Sequence, residues 1–410
     1  MGSLGGSSRT NGQQPQTGIN NATTADVIVV GAGPVGLILA LKLGIQGIST
    51  IVIEKHAGIL RAPRAIAYMP VVNKQLKAMG MLEPLAKRSY QSRFGPSWRP
   101  VQGEAYVECH PKEKVEQLLK AGVKLPPPPP EDESCLYMIG QDDFSDLILE
   151  QIQQRCPEHV SVRFQRPCIG INNVPGGVEV MTTDKVPGIH QYNDIVLTAK
   201  YVVGCDGAQS AVRQYACIPF EGFTWTNFRF TAADVEYDFQ KEKNYFPGGN
   251  FIVDPNDWAL IARTGPETVF RVCYGEKPDL PDDEASMLER SKQRIPAFLS
   301  PTNKDYKLRR LKPYWAQQRC AQTFQKGRIL LIGDAAHPED IISRALESRR
   351  KAWLEVANPT STANYLRLCS TDKDISATRT EFFRKMNTDP AFALGAMAEQ
   401  YKLLPDTFEG

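Results

Sequence analysis

The first ordered pattern in the chain is a short apolar run that ends in a glycine-rich turn. Residues 26–30 are mostly β-branched, which is typical of a strand buried on both faces. The turn at residues 31–36 leads into residues 37–43, where the pattern favours a helix. Residues 49–53 form a second apolar run, which is closed by Glu54. This order predicts a βαβ unit whose strands are parallel and whose crossover is right-handed.

Helices and short strands are predicted after this unit. Residues from about 70 to 87 form a helical stretch, and a second helix is predicted near 144–153, with residues 141–143 as its cap. Residues 160–203 show short strands that are separated by turns. The apolar run 201–203 leads into a glycine, a cysteine and an aspartate, so a buried strand again ends in residues suited to ligand binding.

The second half of the chain has the pattern of antiparallel strands. These strands are predicted between about residues 219 and 318, and they are clearest at 251–253, 259–261 and 269–274. A last buried strand, at residues 328–332, leads into a glycine and an aspartate. The residues beyond it are polar and mostly helical. The whole pattern predicts an α/β fold with a βαβ unit, an antiparallel sheet and C-terminal helices.

Two segments are predicted to lack regular structure. Residues 1–24 are rich in Ser, Gly, Asn, Gln and Thr and have no apolar core of the kind that a signal peptide needs, so we interpret them as a disordered tail. The region 90–134 is irregular and contains five consecutive prolines at 126–130. Such a run favours an extended, solvated connector.

Composition narrows the possible functions. The net charge of +2 gives no strongly basic field, which argues against a nucleic-acid partner. The apolar runs are broken by charges or glycines well before they could span a membrane. The nine cysteines and five histidines show no metal-type spacing. We therefore expect a metal-free protein of the cytoplasm, with two or three domain-sized units or one composite fold in its 410 residues.

The first glycine-rich turn has the context of a dinucleotide fingerprint. Gly31 permits the tight turn, Gly33 allows a pyrophosphate to approach the backbone, and Gly36 allows close packing of helix on strand. The helix N terminus offers N–H groups to the phosphates, and Glu54 suits the ribose hydroxyls. The candidate cofactor-binding residues here are Gly31, Gly33, Pro34, Val35, Gly36, Glu54 and Lys55. The alternative is a glycine-rich turn in an ordinary α/β protein, and the motif does not by itself distinguish NAD from FAD.

Two later motifs make that distinction. Residues 205–213 read Cys-Asp-Gly-Ala-Gln-Ser-Ala-Val-Arg, and residues 327–337 contain Gly-Asp-Ala-Ala-His after a buried strand. With the first motif, in this order, the chain from about 25 to 340 resembles the FAD-dependent aromatic hydroxylases, or group A flavoprotein monooxygenases. These are the relatives of para-hydroxybenzoate hydroxylase, including its fungal secondary-metabolism relatives.

The resemblance implies further cofactor contacts. Asp334 would bind the ribityl hydroxyls of FAD, Asp206 would lie near the pyrophosphate and the path of NAD(P)H, and Arg64 and Gln141 would touch FAD. For Asp334 the residues give an independent argument, because a carboxylate at the carboxyl end of a buried strand faces the crevice where α/β sheets bind ligands. The alternatives are a helix cap for Asp334 or Gln141 and a solvated loop residue for Arg64.

The sequence departs from the family pattern after His337. The family continues from there with a Gly-rich loop and a helix, whereas Pro338 is followed at once by residues 339–342. Residues 347–351 resemble what usually follows that helix. By this resemblance a segment is absent, which implies a changed function, a loosely held flavin or an abnormal gene model.

The predicted domain division follows from the motifs and the strand pattern. The boundaries are 1–24 for the tail, 25–87, 134–217 and 319–356 for a discontinuous Rossmann-like FAD-binding domain, 88–133 and 218–318 for an antiparallel-sheet substrate domain, and 357–410 for a C-terminal helical segment.

The resemblance implies a monooxygenase that uses FAD, NAD(P)H and O₂ to hydroxylate or epoxidise an electron-rich aromatic, phenolic or polyketide-type molecule in secondary metabolism. Trp258, Phe270, Tyr274 and Tyr245 are candidates for the substrate pocket, with core packing as the alternative, and we name no catalytic residue. Two other hypotheses stay open. One is a non-redox relative that serves as a binding protein or a cyclase-like enzyme, and the other is an NAD-dependent oxidoreductase, which would have no use for Asp334.

Overall fold

The structure is a computed structural model, and it describes most of the chain. The described residues are 22–92, 96–101, 103–107, 134–185, 192–239, 249–265, 267–299, 305–336 and 358–398, together with Glu116, Lys120, Gly122 and Tyr245. The predicted tail up to residue 21, the prolines 126–130 and the segment from His337 to residue 351 lie outside them.

The strands and helices alternate in the first half of the chain, and strands predominate in the second. The strands are β1 (Thr24–Val30), β2 (Thr50–Ile53), β3 (Ala67–Tyr68), β4 (Tyr90–Ser92), β5 (Ser97–Arg99), β6 (Leu136–Met138), β7 (Val160–Arg163), β8 (Cys168–Val174), β9 (Gly177–Lys185), β10 (Tyr192–Gly204), β11 (Phe220–Thr224), β12 (Arg229–Glu236), β13 (Gly249–Ile252), β14 (Ala259–Arg263), β15 (Val269–Glu276), β16 (Lys307–Tyr314), β17 (Gln317–Ala321), β18 (Gln325–Lys326) and β19 (Ile329–Leu331). The α-helices are α1 (Pro34–Ile45), α2 (Asn73–Ala78), α3 (Leu82–Arg88), α4 (Gln141–Arg155), α5 (Ala211–Tyr215), α6 (Glu284–Arg294), α7 (Asn358–Cys369), α8 (Lys373–Thr388) and α9 (Pro390–Ala398). Short 3-10 turns lie at Pro70–Val72, Ile295–Ala297 and Gly333–Ala335.

An eight-stranded sheet contains the predicted βαβ unit. Its order is β18-β19-β10-β1-β2-β7, and β9 and then β8 extend it from β10. Strand β1 pairs in parallel with both β2 and β10, and β10 pairs in parallel with β19. The predicted parallel arrangement is therefore confirmed, and it brings the carboxyl ends of β1, β2, β10 and β19 to one edge.

This sheet is buried on both faces, which explains the continuous apolar runs in its strands. Val29 and Val52 pack into the layer formed with α1 and α4. Ile28 and Ile51 pack into the opposite layer, where α5 and the β8–β9 hairpin lie. A strand that contributes to both layers has no polar face, so its sequence does not alternate.

A six-stranded sheet forms the second part of the fold. Its order is β16-β12-β15-β14-β13-β5, and its pairs are antiparallel except for β13 with β5. One face packs on a core that includes Ile295 and Phe298, next to α6. Part of the opposite face packs on residues of α7, α8 and α9, among them Leu368, Phe383 and Ala393. The predicted antiparallel sheet and C-terminal helices are thus confirmed.

Two local predictions were wrong in detail. The stretch from 70 to 87 is not one helix, because Gly80, with φ +66°, follows α2 and separates it from α3. A left-handed residue cannot continue an α-helix. Gln141 does not precede the next helix but is its first residue, and Gly140 occupies the N-cap position without a side-chain cap. None of the described helices is long and apolar enough to cross a membrane.

Candidate functional site

The site lies where four parallel strands end. Gly31 follows β1, Glu54 follows β2, Asp206 comes two residues after β10, and Gly333 comes two residues after β19. Because β1, β2, β10 and β19 are neighbours in one sheet, residues far apart in sequence meet at this edge. Open α/β sheets bind their ligands in the crevice outside the carboxyl ends of the strands.

Gly31 and Gly36 are required by the packing of the protein itself. Gly31 has a φ of +108°, and a Cβ there would lie 2.4 Å from the carbonyl oxygen of Cys205. A Cβ on Gly36 would lie 2.0 Å from the carbonyl oxygen of Gly31. Real Cβ atoms do not come so close to backbone, so any side chain at either position displaces the turn.

Gly33 differs from these two glycines because the space beside it is open. It is the N-cap of α1, with an ordinary extended backbone of φ −71° and ψ 174°, and Pro34 follows as the first helical residue. A Cβ on Gly33 would have no described atom within 4 Å. No described side chain caps the helix, and Val35 in its first turn is 38% exposed. This uncapped N terminus is a suitable cradle for a phosphate.

Glu54 is held against the same turn. Its Oε2 accepts a hydrogen bond of 2.9 Å from the backbone N–H of Ala32, and its Oε1 accepts one of 2.9 Å from the N–H of His56. Lys55 is exposed beside it. The carboxylate therefore stabilises the glycine-rich turn in addition to facing the edge of the sheet. Sequence reasoning assigned Glu54 to a ribose and did not foresee the contact with Ala32.

Asp334 lies next to the first turn of α1. The left-handed Gly333, with φ +62°, packs so tightly that a Cβ on it would lie 3.1 Å from Val35 Cγ2. Asp334 is exposed, and desolvation by the surrounding protein raises the pKa of its carboxyl while the charge of Arg64 opposes that rise. Asp334 lies inside the 3-10 turn Gly333–Ala335, whose N-cap is Ile332, so it does not occupy the N-cap position of that turn.

Asp206 has a structural task. Its Oδ2 accepts hydrogen bonds of 2.7 Å and 3.3 Å from the N–H groups of Ala211 and Val212, in the first turn of α5. Burial raises the pKa of this carboxyl, and the hydrogen bonds from Ser210 and the backbone partly offset that rise. Its expected place near a pyrophosphate stays a prediction, since the carboxylate is already used to cap a helix.

Arg213 joins the two aspartate motifs. The side chain is buried, and it donates hydrogen bonds of 3.0 Å to the carbonyl of Ala335 and 2.7 Å to the carbonyl of Ala208. Its guanidinium lies over the ring of Phe220, with the carbon 3.8 Å from the ring centroid. Arg213 is the last residue of the motif at 205–213, but the sequence alone did not indicate a role for it. It therefore holds the turn after β10 against the turn after β19.

Gln141 lies beside the loop that carries Arg64. The N–H of Gln141 donates to the carbonyl of Ala65 at 3.1 Å, which continues the pairing of β3 with β6. Arg271, from the six-stranded sheet, donates to the carbonyl of Arg64. The side chain of Arg64 is exposed, and its charge acts on the carboxyl of Asp334. Three predicted contacts, Arg64, Gln141 and Asp334, therefore belong to one region.

The aromatic residues predicted for a substrate pocket divide between the two faces of the six-stranded sheet. Phe270 and Tyr274 lie in the core beside Phe298, and the hydroxyl of Tyr245 donates to the Phe298 carbonyl at 2.5 Å. Trp258 lies on the opposite face, among the aromatic residues that cover α7. For Phe270 and Tyr274 the core-packing alternative holds.

The face that carries Trp258 also carries Arg271 and a second aromatic pair, one ring of which, Phe230, packs on Trp258 with centroids 5.1 Å apart. Tyr314 stacks on Phe230 with ring centroids 4.9 Å apart and an angle of 10°. Its hydroxyl lies 3.0 Å from Cys273 Sγ, yet the residue is 42% exposed. Surrounding protein raises the pKa of the Tyr314 hydroxyl, and burial raises the pKa of the Cys273 thiol to about 11, so both groups are neutral at physiological pH.

Comparison with known families and proteins gives a consistent result. A family model described as an FAD binding domain matches residues 24–339, which contain all the motifs above. The chain is similar to a para-nitrophenol 4-monooxygenase of Pseudomonas sp. strain WBC-3, with 30% identity over 90% of this chain and 93% of that protein. It is also similar to a 6-hydroxy-3-succinoylpyridine 3-monooxygenase of Pseudomonas putida, with 29% identity over 76% of this chain and 72% of that protein.

The solved structures include a similar fold over nearly the whole chain. The p-nitrophenol 4-monooxygenase of Pseudomonas putida DLL-E4 matches with a TM-score of 0.79 and 29% identity, covering 93% of this chain and 98% of that one.

Proposed function

The chain belongs to the family of FAD-dependent aromatic monooxygenases, and from this premise we propose that it hydroxylates a small phenolic compound, with NAD(P)H and O₂ as co-substrates. The observation that carries the proposal is the meeting of Gly33, Glu54 and Asp334 at one edge of the parallel sheet, beside an uncapped helix N terminus. This set of groups fits a dinucleotide, since it offers N–H donors to phosphates and carboxylates to hydroxyls.

We assign each predicted residue a place along FAD. The N terminus of α1 would hold the pyrophosphate, Glu54 would accept from the adenosine ribose, and Asp334 would accept from the ribityl chain. Arg64 and Gln141 would lie beside the flavin end. The proposed FAD contacts are Gly31, Gly33, Pro34, Val35, Gly36, Glu54, Lys55, Arg64, Gln141, Asp206 and Asp334.

When bound, FAD supplies the redox chemistry, taking two electrons from NAD(P)H and activating O₂ so that one oxygen atom enters the substrate and the other leaves as water. The protein's own residues position the reactants and exclude water. Arg271 and Gln141 anchor the loop of Arg64 at the flavin end. The sheet face with Phe230 and Tyr314 supplies apolar surface to the substrate ring.

We place the substrate ring on the face of the sheet that carries Tyr314, Cys273 and Arg271. Cys273 and Arg271 alternate with Val272 in β15, so they point to one side, at a spacing of about 7 Å. Arg271 contacts the Arg64 loop, so Cys273 and Tyr314 lie one step farther from the flavin region. The neutral hydroxyl–thiol pair suits a phenol, which can both donate and accept a hydrogen bond.

The broader predictions are retained as proposals. The division into an FAD-binding domain (25–87, 134–217 and 319–356) and a substrate domain (88–133 and 218–318) is supported by the separate parallel and antiparallel sheets. The eight described cysteines are free thiols, which supports a reducing compartment such as the cytoplasm. A place in secondary metabolism rests on the family resemblance.

The alternative hypotheses are not favoured. An NAD-dependent oxidoreductase without flavin does not account for the match of an FAD binding domain through residue 339. A non-redox relative is not favoured because the relative that matches over 90% of the chain is a monooxygenase.

The test is to identify the bound nucleotide and the product. The purified protein should be yellow, should release FAD when denatured, and should incorporate one ¹⁸O atom from ¹⁸O₂ into a substituted phenol when NADH or NADPH is supplied. Stoichiometric NADP without flavin would refute the cofactor assignment. A flavin-loaded protein that oxidises NAD(P)H equally with and without every phenol tested would refute the substrate class.

A further inference from the structure

A chain of buried and half-buried charges connects the six-stranded sheet with the loop of Arg64 and the first turn of α4, which begins at Gln141. Its centre is Asp234 in β12, whose side chain is 1% exposed. Oδ1 of Asp234 accepts from Arg271 Nε at 2.5 Å, and Oδ2 accepts from Arg310 Nε at 2.6 Å. One buried carboxylate thus holds two guanidinium groups.

Each arginine continues the chain toward the flavin region. Nη1 of Arg271 donates to the carbonyl of Arg64. Nη1 of Arg310 lies 2.5 Å from Oδ2 of Asp142, a buried side chain in the first turn of α4, next to Gln141. The loop of Arg64 and the first turn of α4, which carry proposed flavin contacts, are therefore tied to the same carboxylate, one through each arginine.

The local backbone is adapted to this arrangement. The pairing of β12 with β16 shifts register between Asp234 and Val235, so that Arg310 is opposite Asp234 and Leu308 is opposite Val235. A bulge of this kind re-aims a side chain at a sheet edge. Here it places Arg310 between the carboxylates of Asp234 and Asp142.

The energetics indicate that this network fixes the positions of its members rather than adding to the stability of the fold. Burying charges costs several kcal/mol each, and well-packed apolar residues often replace a buried ion pair with no loss of stability. A network of fixed charge-assisted hydrogen bonds restrains its members more strictly than apolar contact does. What this network restrains is the Arg64 carbonyl and the first turn of α4.

We propose that Asp234 is a positioning residue for the flavin region, which fixes Arg64 through Arg271 and Gln141 through Arg310. The inference rests on the proposed function, because it takes Arg64 and Gln141 as flavin contacts. Asp234 itself touches neither substrate nor cofactor in this scheme. Since a misplacement of about 1 Å can lower a rate about a hundredfold, the loss of this restraint should affect catalysis beyond its effect on stability.

The sheet offers a matched control in Glu276. This carboxylate is 2% exposed in β15, with Oε1 2.9 Å from Arg290 and Oε2 3.5 Å from Arg229, so it too joins two arginines. It alternates with Arg271 and Cys273 in the strand and therefore points to the opposite face. Glu276→Gln should cost stability in the same way as Asp234→Asn without affecting the Arg64 loop or the first turn of α4.

The experiment compares Asp234→Asn and Glu276→Gln with the parent protein. The measurements are Tm, the Kd of FAD, kcat and KM for NAD(P)H oxidation with a phenol, and the fraction of electrons released as hydrogen peroxide. We expect similar losses of Tm, but a tenfold or greater loss of FAD affinity or of coupled turnover only in Asp234→Asn.

A second variant covers the case in which Asp234→Asn does not fold. Arg271→Lys keeps a cation beside Asp234 but cannot contact both Asp234 and the Arg64 carbonyl in the guanidinium geometry, so it should show the same cofactor and coupling defects. Equal defects in Asp234→Asn and Glu276→Gln, or parent-like cofactor binding and coupling in Arg271→Lys, would overturn the inference. A parent protein without FAD would instead overturn the proposed function.

Discussion

Gly333 packs against Val35, although the two residues are far apart in the sequence. A Cβ on Gly333 would lie 3.1 Å from Val35 Cγ2, and Gly333 has the left-handed φ of +62°. The end of β19 is thereby pressed against the first turn of α1. Asp334 follows Gly333 at once, so its place beside the helix N terminus depends on the smallness of residue 333.

The first prediction distinguishes a glycine that leaves room for the cofactor from a glycine that is required by packing within the protein. Gly33→Val should abolish FAD retention and leave the fold largely intact, because a Cβ on Gly33 meets no described atom within 4 Å. Gly36→Ala should instead lower stability by about 1–3 kcal/mol, because its Cβ would lie 2.0 Å from the Gly31 carbonyl oxygen. The measurements are bound FAD per protein and Tm. Normal FAD content in Gly33→Val would show that the fingerprint has been misread.

The second prediction concerns the pH dependence of FAD retention. Desolvation raises the pKa of Asp334, and Arg64 opposes the rise. Ribityl hydroxyls would donate to the ionised carboxylate, so FAD affinity should fall as pH drops through this pKa, at a higher pH than for an ordinary aspartate. Asp334→Asn should bind FAD about 10- to 100-fold more weakly at neutral pH and should lose this pH dependence.

Arg64→Gln should raise the pKa of Asp334, and the same experiment can measure this change. Removing its charge removes the contribution that lowers the pKa of Asp334, so the acid loss of FAD should begin at a higher pH than in the parent. For the parent, Asp334→Asn and Arg64→Gln, the FAD released at each acid pH is measured as fluorescence in the filtrate. An unchanged profile in Asp334→Asn would assign the titration to another group.

The βαβ unit and the place of Asp334 at the carboxyl edge of the sheet could be predicted from sequence for a physical reason. Strands buried on both faces must be apolar throughout, and ligand-binding residues follow them at their carboxyl ends. The facing of β15 could not be predicted. All residues from Val269 to Glu276 are buried, so apolar and polar residues do not alternate in a way that shows Phe270 facing the core and Arg271 facing the Arg64 loop.

The network around Asp234 could not be predicted from sequence. Its partners Arg271 and Arg310 are 37 and 76 positions away, and the bulge that places Arg310 leaves no sequence signature. From sequence alone, an arginine in a strand is predicted to be exposed to solvent. Tertiary pairing, rather than local pattern, decides which of these charges are buried.

The third prediction tests the substrate-facing side of the six-stranded sheet. Tyr314→Phe removes the hydroxyl that lies 3.0 Å from Cys273 Sγ, on the exposed ring of the aromatic pair. It should change kcat/KM for a phenol by about two- to tenfold, the worth of one neutral hydrogen bond, with FAD content unchanged. Tyr274→Phe is the matched control, because it removes a buried hydroxyl in the core layer. Equal effects of the two substitutions would place the substrate elsewhere.

The last prediction concerns the segment that, by the family resemblance, is absent after His337. The described motif ends at Ala336, whose carbonyl accepts from the N–H of Ala321 at 2.8 Å. By the family resemblance, the absent loop supplies N–H donors where negative charge develops when flavin is reduced. The loss of one such donor costs about 3 kcal/mol of transition-state stabilisation, or roughly a hundredfold in rate. We therefore expect slow NAD(P)H oxidation and a large share of hydrogen peroxide in place of hydroxylated product, because the absent segment also shields the reacting ring from water.

The experiment inserts a family-like Gly-rich loop and helix between Pro338 and Glu339 and measures FAD affinity, NAD(P)H oxidation and peroxide yield. A matched control inserts a Gly-Ser segment of equal length, which restores the spacing without a preorganised loop. The family-like insertion should raise the reduction rate and lower the peroxide fraction, whereas the control should do neither. If the parent already holds FAD tightly and converts nearly all its NAD(P)H into product, other residues of this chain replace the loop, and the N–H donors of the family are not required for its reaction.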